Sequence, residues 1–230
     1  MLGRVESVPA LVACAHGTRD PEGQAAVAAL RTAVAAARPQ VPVLEAYIDV
    51  HEPALPAVLA GTGPAVVVPL LLSSGYHLSV DIAEVVEAAG PRVRTAGGLG
   101  PDAALVAVLI DRLDAAGVTD EHAVVLAAAG SSDPGAKRDV EQTARELGHR
   151  IGRDVVPAYA SAVEPRVADA VQRLAAEGRR VAVAAYLLAP GYFYDWIREV
   201  SADVHTTPLL PHAAVTGLVL RRYDEAVTGG

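Results

Sequence analysis

Two histidines stand where an α/β chain most readily does chemistry. His16 closes the apolar run in LVACAHGTRDP, and His77 follows the run PLLLSSGYH, so each comes just past a segment with the composition of a buried strand. Imidazole suits divalent first-row metals, with carboxylate or water completing an open coordination sphere. Its ordinary pKa near ~6.5 also lets it take up protons at neutral pH. Either ring alone reads more plainly as a hydrogen-bonded surface or cap residue; the ligand reading rests on the pair. His51 reads either as a third contact or as a solvated loop residue, and His122, His149, His205 and His212 read as surface residues without site-like partners.

The rings need a scaffold that brings distant positions together. The pattern predicts strand 10–15, helix 21–37, strand 43–48, helix 53–59, strand 65–72, helix 80–89, strand 93–96 and helix 102–116. The second half repeats the order, with strand 123–128, helix 134–151, strand 155–160, helix 165–176, strand 181–188, helix 192–200, strand 203–206 and helix 211–226. Runs such as AVVVPLLL and VAVAAYLL imply strands buried on both faces, hence parallel sheets flanked by helices. Strands one and three then both end at the carboxyl edge, where open α/β folds bind ligands, and His16 and His77 can converge there.

The two halves match by more than rhythm. Gly17-Thr18 and Asp20-Pro21 align with Gly130-Ser131 and Asp133-Pro134; Ala46-Tyr47 and Glu52-Pro53 with Ala158-Tyr159 and Glu164-Pro165; Gly75-Tyr76 with Gly191-Tyr192; Pro101 and Arg112 with Pro211 and Arg222. The order is kept throughout, which implies two duplicated lobes, residues 1–117 and 118–230. On this alignment His16 falls opposite Ala129 and His77 opposite Phe193, so the first lobe alone keeps the imidazoles.

Hydrophobic residues make up 52% of the 230 positions, enough for a large packed core and too many for a disordered chain. A formal net charge of −8 argues against nucleic acid or an acidic membrane surface as partner. Cys14, the single cysteine, reads as a small core residue, which points to a reducing compartment. The segment from Arg4 to Ala15 imitates a signal peptide, but Glu6 and Pro9 interrupt it, and no apolar run approaches the ~20 residues that span a bilayer. The expectation is a soluble cytoplasmic protein. No G-x-x-x-x-G-K-S/T phosphate loop is present, Gly97-Gly98-Leu99-Gly100 lacks dinucleotide-binding spacing, and neither a Gly-x-Ser-x-Gly elbow nor a cysteine cluster occurs. The chemistry is expected to need no ATP and no nucleotide.

HGTRDP, YIDVHEP and PLLLSSGYHLSVDI resemble the sirohydrochlorin chelatases, which insert cobalt or iron in cobalamin and sirohaem synthesis. The resemblance runs along essentially the whole chain and is to the long, two-lobed form. It implies a class II chelatase-like fold, a lyase activity, and metal binding by histidines after the first and third strands, here His16 and His77. It also implies an assisting acidic residue after the second strand, usually Glu, here Asp49, one methylene shorter. Asp49 equally suits a helix cap. The metal is a substrate, Co²⁺ or Fe²⁺, with Ni²⁺ barely distinguished by ligand softness. Such an enzyme holds the ion loosely enough to release it into the macrocycle and accepts the two departing pyrrole protons.

The macrocycle implied by the resemblance is an anionic tetrapyrrole, so an acidic chain needs local positive potential. Gly17-Thr18-Arg19 and Ser73-Ser74-Gly75 precede helices, whose N-termini attract anions, and Arg19 reads as a carboxylate contact or as an ordinary exposed arginine. Ser131-Ser132 and Pro190 to Tyr194 are expected to face the site from the second lobe, with Gly191 in the turn and Tyr76, Tyr192 and Phe193 against the macrocycle plane; Trp196 reads as core. Internal duplication lets one chain supply both lobes, so a monomer suffices. Two other readings stay open: a non-catalytic metal or tetrapyrrole carrier using the same site, and a scaffold whose histidines only cap helices.

Overall fold

The computed structural model describes residues 8–73 and 76–229, apart from the side chains of residues 76–79. The first half runs β1 (Ala10–Ala15), α1 (Pro21–Ala37), β2 (Val43–Tyr47), α2 (Leu55–Ala60), β3 (Ala65–Pro69), α3 (Tyr76–Ala89), β4 (Val93–Thr95) and α4 (Ala103–Ala115). The second runs β5 (His122–Ala128), α5 (Pro134–Ile151), β6 (Val155–Tyr159), α6 (Val167–Ala176), β7 (Arg180–Tyr186), α7 (Tyr192–Arg198), β8 (Val204–His205) and α8 (Ala213–Thr228). Each half forms a four-stranded parallel sheet, in the orders β2-β1-β3-β4 and β6-β5-β7-β8. The duplicated, two-lobed α/β architecture expected from the repeat is the one observed.

Strand alternation decides which core each residue joins. Leu11, Ala13 and Ala15 of β1 and Val124, Leu126 and Ala128 of β5 belong to one inner cluster together with residues of α1, α4, α5 and α8. The opposite faces, Val12 and Cys14 on one sheet and Val125 and Ala127 on the other, pack in separate outer clusters with α2 and α3, or with α6 and α7. The inner helices are shared: α8 packs on β3 of the first sheet, and α4 on β7 of the second. Cys14 is fully buried, and that burial pushes its thiol up to about 12, so it is the inert core residue the sequence suggests.

Polar contacts pin the lobes together. Asp102 caps α4 by accepting from the Ala104 N–H at 2.8 Å, while its second oxygen receives Arg221 at 2.6 Å and Arg222 at 2.9 Å from α8. Arg112 donates to the carbonyls of Leu209 and Pro211, and Arg38 makes a two-bond pair with Asp224.

Several sequence expectations shift. Helices were expected from Pro53 and Pro165, but α2 and α6 begin two residues later. The Pro53 and Pro165 carbonyls accept from the N–H groups of Tyr47 and Tyr159, which ties both prolines to the strands instead. The third strand ends at Pro69 rather than residue 72, and α3 begins at Tyr76 rather than residue 80, so His77 lies in a first helical turn. His122, read as a surface residue, is 2% exposed at the start of β5, where its Nδ1 accepts the Thr119 N–H. His212 is a half-buried N-cap of α8, accepting from the Ala214 N–H at 3.1 Å. His205 is half-buried too, and burial lowers its pKa against the opposing effect of the Ile197 and Val200 carbonyls. Trp196, read as core, is 44% exposed, because Ile197 takes the buried side of α7 and the indole packs on Tyr192.

Candidate active site

The order β2-β1-β3-β4 places the reversal of strand order between β1 and β3, and the crevice beyond that reversal is where such sheets bind ligands. His16 follows β1 directly and is exposed there. Its carbonyl accepts the Asp49 N–H at 3.1 Å, one step beyond the Ile48 N–H to Ala15 bond, so the β1–β2 ladder runs up to the histidine and fixes its backbone. On the other flank the Leu70 N–H donates to the Cys14 carbonyl at 2.8 Å, drawing the chain after β3 alongside.

The turn after His16 needs glycine. Gly17 has φ +102°, and a Cβ there would stand 2.3 Å from the Asp49 carbonyl oxygen. Thr18 then accepts the Asp20 N–H, Asp20 caps α1 by accepting from the Gly23 N–H at 2.7 Å, and Pro21 opens the helix. Asp49 does not cap α2: its carboxylate accepts the neighbouring Val50 N–H, while Glu52 takes the Ala54 N–H. Asp49 therefore sits beside His16 through the backbone, with an exposed side chain. The His51 ring packs edge-on to Tyr47 at 4.7 Å.

Between the lobes lie two chambers that share His16, Phe193, Leu187 and Leu188. The larger, about 620 Å³, is lined by Gly17, Thr18, Arg19 and Tyr47 from the first lobe and by the stretch from Pro190 to Tyr194 from the second. The smaller, about 370 Å³, takes in Ser73, Ser131, Lys137 and Tyr159. The second-lobe residues expected at the cleft thus meet the first-lobe loop. Their approach is close: a Cβ on Gly23, in the first turn of α1, would fall 2.5 Å from the Pro190 carbonyl oxygen. Tyr192 is 63% exposed, leaving a ring face open to a flat ligand.

Other expected site residues divide. Ser74 and Gly75 lie outside the described residues, as do the side chains of Tyr76 and His77; the backbone of α3 starts at Tyr76, immediately beyond the β3 crevice. Among the described residues no cluster of three His, Cys, Asp or Glu side chains is close enough to hold a metal ion. Asp49 and Ser132 do not line either chamber.

Sequence reasoning missed Gly23, Gln24, Lys137 and the two tyrosines that end β2 and β6. Gln24 donates to the Thr18 carbonyl at 2.9 Å and stiffens the loop that carries Arg19. Tyr47 donates to Glu45, which also pairs with Arg31. Burial first, and the hydrogen bond to Glu45 next, push the Tyr47 hydroxyl up to about 12, while burial alone would raise the Glu45 carboxyl but Tyr47 and Arg31 outweigh it and hold it below its ordinary range. Glycine inside a helical turn, which costs about 1 kcal/mol against alanine, was the one available signal for Gly23. A separate groove of about 620 Å³ between α6 and α7 carries Trp196 and Glu199 but no described histidine, lysine or arginine.

The sequence and the fold both match known proteins. The CbiX family model matches residues 10–116 and again 123–226. Sirohydrochlorin ferrochelatase of Bacillus subtilis (strain 168) is 33% identical over 206 residues, which cover 83% of this chain and 78% of that protein. The solved structure of SirB from Bacillus subtilis with Fe³⁺ superposes with a TM-score of 0.79 at 25% identity, covering 96% of each chain. The sirohydrochlorin chelatase SirB of Bacillus subtilis subspecies spizizenii in complex with cobalt shares the fold, with a TM-score of 0.76 at 24% identity over 95% of each chain.

Proposed function

Because the chain belongs to the CbiX family, in its two-lobed form, we propose that it is a sirohydrochlorin chelatase, a lyase that inserts a divalent metal into the free macrocycle without ATP. The observation that carries this reading is the place of His16, at the junction of both chambers and at the strand reversal between β1 and β3. The metal is Fe²⁺ or Co²⁺, in keeping with relatives named as ferrochelatases and with SirB structures holding iron and cobalt.

In the proposed reaction the first lobe, residues 1–117, holds the ion on His16 and His77, with Asp49 as carboxylate partner. Bonds from the ion to the four ring nitrogens would form as its bonds to the two imidazoles and two pyrrole N–H bonds break, and the freed imidazoles would take up the two protons and pass them to solvent. Histidine suits both duties at neutral pH. The second lobe, residues 118–230, supplies Gly191, Tyr192 and Phe193 as the facing wall. The macrocycle lies in the larger chamber with Gly17, Thr18 and Arg19 at its edge, and Ser73, Ser74, Gly75 and Tyr76 are its further contacts from the first lobe. One chain supplies both walls, so the protein acts as a monomer in the cytoplasm.

The test follows the tetrapyrrole absorption spectrum on adding Fe²⁺ or Co²⁺, with substoichiometric wild type, His16→Ala and His77→Ala. Repeated turnover by wild type and loss in both variants is expected. Equal rates in all three reject the histidine assignment, and conversion that stops near one equivalent makes the protein a carrier.

A further inference from the structure

The smaller chamber holds groups that metal insertion itself leaves unused. Tyr159 is 1% exposed and lines this chamber, and its hydroxyl has no hydrogen-bond partner. A buried O–H without an acceptor is costly, and native proteins seldom tolerate one unless something else fills the place. Burial, with the Glu141 charge second, pushes this hydroxyl up to about 12, so it stays a donor at neutral pH. Its counterpart in the first lobe is spoken for: Tyr47 already donates to Glu45. Pro157 stands in β6 where Glu45 stands in β2, so the second lobe offers no such acceptor.

Lys137, on the first turn of α5, lines the same chamber. Its ion pair with Glu141 is long, 3.9 Å, and part-exposed, which leaves the ammonium available to a stronger acceptor. The charge balance of the cleft also stands out against the whole chain. Among the described residues lining the two chambers, Arg19 and Lys137 are the lysine and arginine present and no Asp or Glu occurs, in a protein of formal net charge −8. A cleft with apolar walls lined by one sign of charge concentrates ligands of the other.

We propose that Lys137 and Tyr159 form a carboxylate subsite, which takes one acidic side arm of the macrocycle while its centre lies over His16. This deepens the chelatase reading and rests on it. The ammonium contributes the charge and the phenol a second, directional hydrogen bond, as buried carboxylates require. Arg19 stands at the other chamber and Lys137 at this one, and neither cation is repeated at the equivalent position of the other lobe, where Ser132 and Gln24 stand. The macrocycle is therefore held at two unlike points, which fixes one of its orientations.

The experiment titrates sirohydrochlorin without metal, by fluorescence, into wild type, Lys137→Ala, Lys137→Arg and Tyr159→Phe, and pairs each Kd with steady-state metal insertion. Lys137→Ala should weaken Kd and raise KM about tenfold, with the loss falling on KM rather than kcat, and Lys137→Arg should recover most of it. Tyr159→Phe should weaken binding several-fold while its thermal midpoint without ligand holds or rises, since an unsatisfied hydroxyl has been removed. A wild type that turns over beside a Lys137→Ala variant with unchanged Kd and KM overturns the subsite and leaves the chelatase reading intact. A wild type that neither binds nor metallates sirohydrochlorin overturns both.

Discussion

The two lobes share a frame and differ in its contents. Gly17 and Gly130 both turn at positive φ, 102° and 93°, against the carbonyls of Asp49 and Ser161. Asp20 and Asp133 cap the following helices, each reached by an oxygen of Thr18 or Ser131 two residues earlier. Val50 and Ala162 share φ 64°. On that common backbone the first lobe carries His16, Asp49 and Glu45 where the second carries Ala129, Ser161 and Pro157. Ser161 spends its hydroxyl on the Ala129 carbonyl at 2.8 Å, closing the loop without any group for a metal. The backbone turn is common to both copies, while the histidine proposed to hold the metal stands in the first and has alanine as its counterpart in the second.

The largest expected effect breaks that division of labour directly. His16→Ala should lower metal insertion on the order of a hundredfold or more, the range for losing a ligand that also takes protons. Adding Ala129→His to that variant should not restore it, since the second lobe has Phe193 and Ser161 opposite His77 and Asp49. Recovery of activity in the double variant would show that the backbone alone makes either lobe competent, and the asymmetry argument would collapse.

A smaller effect sharpens the shared part. Gly17→Ala and Gly130→Ala both force a side chain into the left-handed region and against a carbonyl, with Cβ approaches of 2.3 Å and 2.0 Å. Each should cost about 1–3 kcal/mol in denaturant unfolding, and the two losses should be alike. Activity should separate them, because Gly17 adjoins His16 and Gly130 adjoins Ala129. Loss of stability at Gly17 alone would mean that the second turn is not built as the first.

The strands and most helices were readable because local signals agreed with the global fold. Asp20-Pro21 and Asp133-Pro134 state both cap and first residue, and α1 and α5 begin where these say. Where a residue's role is set by a distant partner, the local pattern misled. Pro53 and Pro165 look like helix starts, yet their carbonyls are used by Tyr47 and Tyr159. The burial of His122 depends on how the start of β5 and the Thr119 turn pack, and the exposure of Trp196 on which face of α7 meets a neighbour, which periodicity in a seven-residue helix cannot fix. His16 was legible as a strand-end imidazole, and the pairing of strand-end residues across the duplication identified its empty counterpart. Lys137, Tyr159 and Gly23 were not, since their significance arises only when α1, α5 and the Pro190 loop meet across the cleft.

A last pair of substitutions probes the caps of α4 and α8, where Asp102 and His212 occupy equivalent positions in different chemical dress. Asp102 accepts from Ala104 and also anchors Arg221 and Arg222 across the lobes, whereas His212 accepts from Ala214 and meets Asp111 at 3.0 Å. Asp102→Asn should cost about 1.5–3 kcal/mol, because charge-assisted bonds are weakened, and His212→Asn about 0.5 kcal/mol or less, because asparagine caps well. The pH dependence tells them apart. Burial alone would raise the Asp102 carboxyl, but the Ala104 N–H and the two guanidinium groups outweigh it and hold the carboxyl below its ordinary 3.8. The folded state therefore binds this proton less readily than the unfolded chain, so the stabilisation is complete above the ordinary carboxylate range and drains away as pH falls through the lower folded value. Denaturant midpoints of wild type and Asp102→Asn, measured from pH 6 downward, should converge toward acid. A gap that stays constant to the acid limit would mean that the charge on Asp102 contributes nothing to joining the lobes.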